Sequence, residues 1–191
     1  MRARVRYMED DMCSGDLLMV VKNNYFWLDE KSDAGFIANG DALEIKKIIK
    51  REELYGFHFL ECVVRFIDYP QLPEMQVKLI LESISSDTSS LTSVQQQQLF
   101  EEVMADMSDE PSKFKRLNYL KKSPYFNALQ IKFLYAVTCH KAQGGQWPVV
   151  FIDQGYINKE QIDRNYLRWL YTAFTRAQEK VYLINFSGDF F

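Results

Sequence analysis

Phe133-Leu-Tyr-Ala-Val-Thr138-Cys139-His140-Lys141-Ala-Gln143-Gly144-Gly-Gln146-Trp-Pro-Val-Val-Phe-Ile-Asp153 places polar residues with chemical uses between two apolar runs. Phe133–Val137 and Val149–Asp153 both lack the polar alternation of a half-exposed sheet, so both are expected to be buried strands. Thr138, His140, Lys141, Gln143, Gly144 and Gln146 then fall at a strand end, where open α/β sheets hold their ligands. Downstream, Leu167, Leu170, Tyr171 and Phe174 stand at i, i+3, i+4 and i+7, the stripe of a packed helix, and Val181–Ile184 is another strand run. At about 100° per residue Arg176 lies almost opposite that stripe and is expected to point away from the packing surface. The order strand, polar loop, strand, helix, strand is α/β organisation.

Composition narrows the classes. With 47% apolar and 15% aromatic residues in 191, the chain can bury a core and a small satellite domain, so disorder is excluded. A net charge of -3 means that any contact with nucleic acid must use local basic patches and not a global field. Cys13, Cys62 and Cys139 are isolated and odd in number, which argues against zinc and against a disulfide framework and favours a reducing cytoplasm. Cys139 adjoins His140, but nothing supplies the orienting third group of a nucleophilic site. No apolar run approaches membrane-spanning length, so no membrane partner is expected.

Upstream, Leu17–Lys22 is bounded by turn residues and reads as a strand. Phe36–Ala38 and Leu43–Ile45 flank Asn39-Gly40, which predicts a tight hairpin there. Strand patterns follow at Phe57–Asp68 and Glu74–Ile84. In the second of these Met75, Val77, Leu79 and Leu81 alternate with a face expected to be wet. These short strands suggest an inserted β module, a small barrel over residues 38–84. Thr92 with Gln95 has the spacing of a capping box opening a helix whose stripe is Leu99, Phe100, Val103, Met104 and Met107. Lys113–Lys122 carries five basic residues and no acid, a solvated helix face or a phosphate contact.

Two groups of residues carry a resemblance: Ala136-x-Thr138-x-His140-Lys141-x-Gln143-Gly144 ahead of an apolar strand, and Tyr171-Thr172-Ala173-Phe174-Thr175-Arg176-Ala177. In order and spacing they resemble motifs V and VI of superfamily 1 DNA helicases, closest to the RecD-like branch that includes the exonuclease V alpha subunit. The segments around Leu18–Asn24 and Asn39-Gly40-Asp41 resemble the stretch preceding the SH3-like insertion of that branch. The resemblance implies a second RecA-like motor domain over residues 1–37 and 85–191, with an SH3-like β-barrel inserted at 38–84. It implies contacts to single-stranded DNA by Thr138, His140, Lys141 and Asn39. It implies that Gly144 and Gln146 approach a nucleotide and that Arg176 is an arginine finger.

Further implications are ATP and Mg²⁺ as cofactors of the full-length protein with none bound to this chain alone, an N-terminal RecA-like domain and other repair proteins as partners, 5′-to-3′ movement, and a place in DNA repair and recombination. Two departures qualify the resemblance. Gln146 stands where the family commonly has an acid, and the sequence holds neither a G-x-x-x-x-G-K-S/T loop nor a strand ending in paired acids. The chain thus resembles the second half of a motor without the first, and because it opens inside that domain it is expected to be a truncated chain, inactive by itself as an ATP hydrolase. The rival expectation is a non-catalytic nucleic-acid-binding or protein-interaction module derived from a helicase.

Overall fold

Two adjoining residues with positive φ, Tyr55 at 57° and Gly56 at 71°, form a tight turn. They join strand β2 (Ala42–Leu54) to β3 (Phe57–Phe66) through the pair Leu54↔Phe57, the two-residue connection whose twist suits antiparallel strands. The computed structural model describes residues 4, 6, 7, 10–29, 32, 34–86, 88–157 and 161–188. The chain divides into two compact units, Met1–Tyr135 and Ala136–Phe191.

In the first unit β1 (Leu17–Val20), β2, β3, β4 (Met75–Ile80) and β5 (Leu129–Phe133) form a closed five-stranded barrel in that order. Neighbouring pairs are antiparallel except β4 with β5. Register shifts between Ile45 and Lys47 and between Ile48 and Lys50 let the long β2 bend around the barrel. Side chains alternate as the pleat requires: Leu60, Cys62, Val64 and Phe66 of β3 and Val77 and Leu79 of β4 point into one core, with Leu18, Val20, Leu43, Ile45, Leu129 and Ile131. Burial pushes the Cys62 thiol up to about 12, so it is an inert core residue.

A helical layer covers the outside of β3 and β4. The short α1 (Glu82–Ser85) is followed by α2 (Ser93–Ala105) and α3 (Lys113–Lys122). Thr92 caps α2: its hydroxyl accepts the Gln95 N–H and the Gln95 side chain returns to the Thr92 backbone, the expected capping box. Leu99 and Val103 of α2 and Leu120 of α3 bury a second core with Phe57, Phe59 and Ile80.

Four expectations change. The barrel is not confined to residues 38–84, because β1 and β5, which flank that range, close it. The Asn39-Gly40 turn exists, with Gly40 at φ 109°, but it makes no hairpin of 36–38 with 43–45. Ile37 bridges Asn24, and Leu43 pairs instead with Leu18. The face of β4 expected to be wet is buried at Ile80, under the helical layer, and at Lys78, against Glu52, Glu61 and the Tyr125 ring. Finally, the strand expected at Phe133–Val137 ends at Phe133 and belongs to the barrel.

The second unit is a βαβ arrangement: β6 (Trp147–Asp153), α4 (Arg164–Phe174) and β7 (Ala177–Ile184), with β6 and β7 parallel. Pro148 lacks an N–H for the ladder, and the register slips there, between Trp147↔Ala177 and Val149↔Lys180. Asp163 caps α4 by accepting the N–H groups of Asn165 and Tyr166. The mixed α/β chain fits the expected RecA-like class and contains a barrel. No helix among the described residues is long and apolar enough to cross a membrane.

Candidate functional site

Residues 138–145 form consecutive turns. The Thr138 carbonyl accepts the N–H groups of Lys141 (3.0 Å) and Ala142 (3.1 Å), and Gly145 N–H donates to Ala142 (3.2 Å). These bonds use backbone groups and leave Thr138, His140 and Lys141 exposed. The Thr138 hydroxyl and the His140 ring have no hydrogen-bond partner among the described residues.

The two glycines serve different physical ends. Gly144 has φ 89° with open space where a Cβ would stand, so its backbone conformation is what favours glycine. Gly145 lies under the Trp147 ring, and a Cβ there would come within 2.3 Å of the indole.

Arg176 joins this loop to the chain after α4. Its Nη1 donates to the Gly145 carbonyl at 3.1 Å, Nε to the Thr172 carbonyl at 3.0 Å and Nη2 to the Thr175 hydroxyl at 3.1 Å. The Arg176 carbonyl in turn accepts the Trp147 N–H at 2.9 Å. This corrects the expectation that Arg176 points away from the packing surface: α4 ends at Phe174, the chain turns into β7, and the half-buried guanidinium lies back along the loop. A guanidinium has five N–H groups, so one hydrogen on each terminal nitrogen stays available. The helix stripe is corrected too. Leu167, Tyr171 and Phe174 are exposed, whereas Tyr166 and Ala173 are buried.

Gln146 Oε1 accepts from Gln178 Nε2 at 3.5 Å, a second tie between the loop and β7. Cys139 donates its thiol to the Trp169 carbonyl at 3.5 Å, and burial raises its pKa despite the opposing Arg176 charge. It is a protonated packing residue. Asn39 belongs to the first unit, where its N–H donates to Asn23 Oδ1 at 2.8 Å. Sequence reasoning missed Gly145, Trp147, Thr172 and Gln178; the Gly-Gly pair followed by an indole was the available signal for the first two.

The geometry thus brings Gly144, Gly145, Gln146 and Arg176 into one place in the second unit, with Thr138, His140 and Lys141 on the same loop. Residues 133–184 match the family model of the UvrD-like helicase C-terminal domain. No curated protein matches the chain. The matched segment runs from the last residue of β5 through the whole βαβ arrangement, and it supports a superfamily 1 helicase C-terminal part with the nucleic-acid binding general to helicase domains.

Among the described residues no group of three or more His, Cys, Asp or Glu side chains is arranged to hold a metal ion. A phosphate is matched in part, by the two remaining N–H groups of Arg176.

Proposed function

We propose that the second unit is the part of an ATP-driven DNA helicase motor that completes the nucleotide site and couples it to the DNA strand. The observation that carries this reading is the hydrogen bond from Arg176 Nη1 to the Gly145 carbonyl. Through it the residue that would sense a γ-phosphate is tied to the loop that carries Thr138, His140 and Lys141. Arg176 would act as the arginine finger, since a planar guanidinium holds charge spread over phosphoryl oxygens without giving up a proton. Gly144 and Gln146 would stand beside the nucleotide, Gln146 by hydrogen bonding alone because an amide carries no charge. Thr138, His140 and Lys141 would contact phosphate or sugar of single-stranded DNA. In this reading the barrel of the first unit is the SH3-like insertion of a RecD-like enzyme moving 5′-to-3′, and the phosphate cradle and metal ligands belong to an N-terminal RecA-like domain.

A second reading has its own observation. The three Arg176 side-chain hydrogen bonds go to Thr172, Gly145 and Thr175 of its own unit, which suits a loop clamp in a non-catalytic module. The two are separated by Arg176→Ala in a protein that carries a P-loop domain together with this chain. As a finger, the variant loses hydrolysis by about a thousandfold while still binding nucleotide. Equal losses of nucleotide binding and thermal stability would assign Arg176 to the clamp. The 191-residue chain alone should release no phosphate from ATP, and turnover that persists through purification would overturn the half-motor reading.

A further inference from the structure

The first unit contains a groove of about 920 Å³ between the Lys22–Phe26 segment, the start of α2 and the end of α3. Its lining includes Lys22, Lys121, Tyr25, Phe26, Phe100 and Phe126, and no carboxylate, in a chain whose 26 acids outnumber its 23 lysines and arginines. Neither lysine pairs with a carboxylate among the described residues. Lys22 lines the groove and donates to the neutral Gln96 amide oxygen at 2.9 Å. The remaining polar lining is mostly amides.

Tyr25 is held ready at the rim. Its ring is 67% exposed and stacks on Phe36, with centroids 4.9 Å apart and planes at 24°. The segment beneath it is pinned. Asn24 Nδ2 and Trp27 Nε1 both donate to the Asn127 carbonyl at 2.8 Å, and Asn24 Oδ1 accepts the Phe26 N–H at 3.0 Å. Asn23 accepts the N–H of Asn39 at 2.8 Å, so the Asn39-Gly40 turn braces the same rim.

We infer that this groove binds single-stranded DNA, with a base stacked on Tyr25 and backbone phosphates on Lys22 and Lys121. Exposed aromatic faces beside unpaired cations and uncharged amides are what an unstacked base and its phosphate require. A duplex hides its base faces from such a platform, and an acidic peptide would gain from the two lysines but not from the rings. The surface lies wholly in the first unit and does not depend on the Thr138–Gln146 loop.

Binding of a fluorescein-labelled oligothymidylate of about 12 nucleotides to the whole chain, followed by anisotropy, tests this. Tyr25→Ala should weaken binding about tenfold and Tyr25→Phe should leave it nearly unchanged. Lys22→Ala with Lys121→Ala should weaken binding and flatten the dependence of log affinity on log salt by about 0.7 per lysine. Each variant's melting temperature guards against misfolding. A 5-iodouracil oligonucleotide should crosslink at Tyr25. Thr138→Ala with His140→Ala reports on the other loop: loss there, with the Tyr25 and lysine variants binding like the parent, overturns the groove while sparing the proposed helicase track. Competition by an acidic peptide but not by unlabelled oligothymidylate would also overturn it.

Discussion

At the scale of single residues, adjacent glycines in the Thr138–Gln146 loop give opposite kinds of information. Gly144 was legible as a motif position, and its φ of 89° supplies a conformational reason independent of any nucleotide. Gly145 was not legible, because the constraint comes from the Trp147 ring folding back two residues later. Gly145→Ala should destabilise the second unit by about 1 kcal/mol, the low end of overpacking, because the Trp147 ring it displaces is 44% exposed and can move outward. The measurement is the melting temperature, and Gly145→Ala combined with Trp147→Ala should recover most of the loss. If the double variant melts as low as the single one, the indole is not what excludes a side chain. Arg176 shows the same limit of sequence reasoning: its motif was readable, but its direction depended on where α4 stops.

At the scale of elements, the strand runs at 17–22, 57–68 and 74–84 were readable because apolar periodicity is local. The barrel's closure was not. It rests on pairs such as Leu18↔Phe133, joined only after more than half the chain has intervened, and no local pattern records such a partner. The same closure with its helical layer explains the one charge that alternation misplaced. Lys78 is 6% exposed, opposite Glu61 in the β3–β4 register, bonded to Glu52 of β2 and over the Tyr125 ring at 4.2 Å. Bonds from Lys50 and Lys78 hold the Glu52 carboxyl at about 2, below its ordinary 4.5. A depressed carboxylate stabilises the fold fully above its unfolded value and loses that contribution as pH falls from about 4.5 towards 2. Urea midpoints should therefore drop across this interval, and Glu52→Gln should flatten the drop. At neutral pH Glu52→Gln should cost about 2 kcal/mol, because buried Lys78 is left with Glu61, at 3.7 Å, as its carboxylate partner among the described residues. An unchanged acid profile in Glu52→Gln would show that this cluster does not govern acid stability.

At the scale of the whole molecule, the two units differ in how completely each satisfies itself. The first closes its sheet, so its barrel has no free edge, and it buries one core inside and another under α2 and α3. The second has a two-stranded parallel sheet with α4 packed beside it, while parallel sheets ordinarily need both faces covered. Phe151 is 62% exposed and stacked on Tyr182 across the strands at 4.8 Å, and Leu167 and Tyr171 of α4 are 57% and 71% exposed. So few buried residues give little return against the entropy of ordering the segment. Residues 1–135 expressed alone should unfold in a single cooperative urea transition, with near-ultraviolet dichroism and amide protection in β2 and β3 like those of the whole chain. Residues 136–191 expressed alone should show a broad, non-cooperative transition and poorly dispersed amide resonances. A cooperative 136–191 fragment would mean that the βαβ arrangement stabilises itself despite its uncovered face. A disordered 1–135 fragment would mean that barrel closure draws on residues beyond Tyr135.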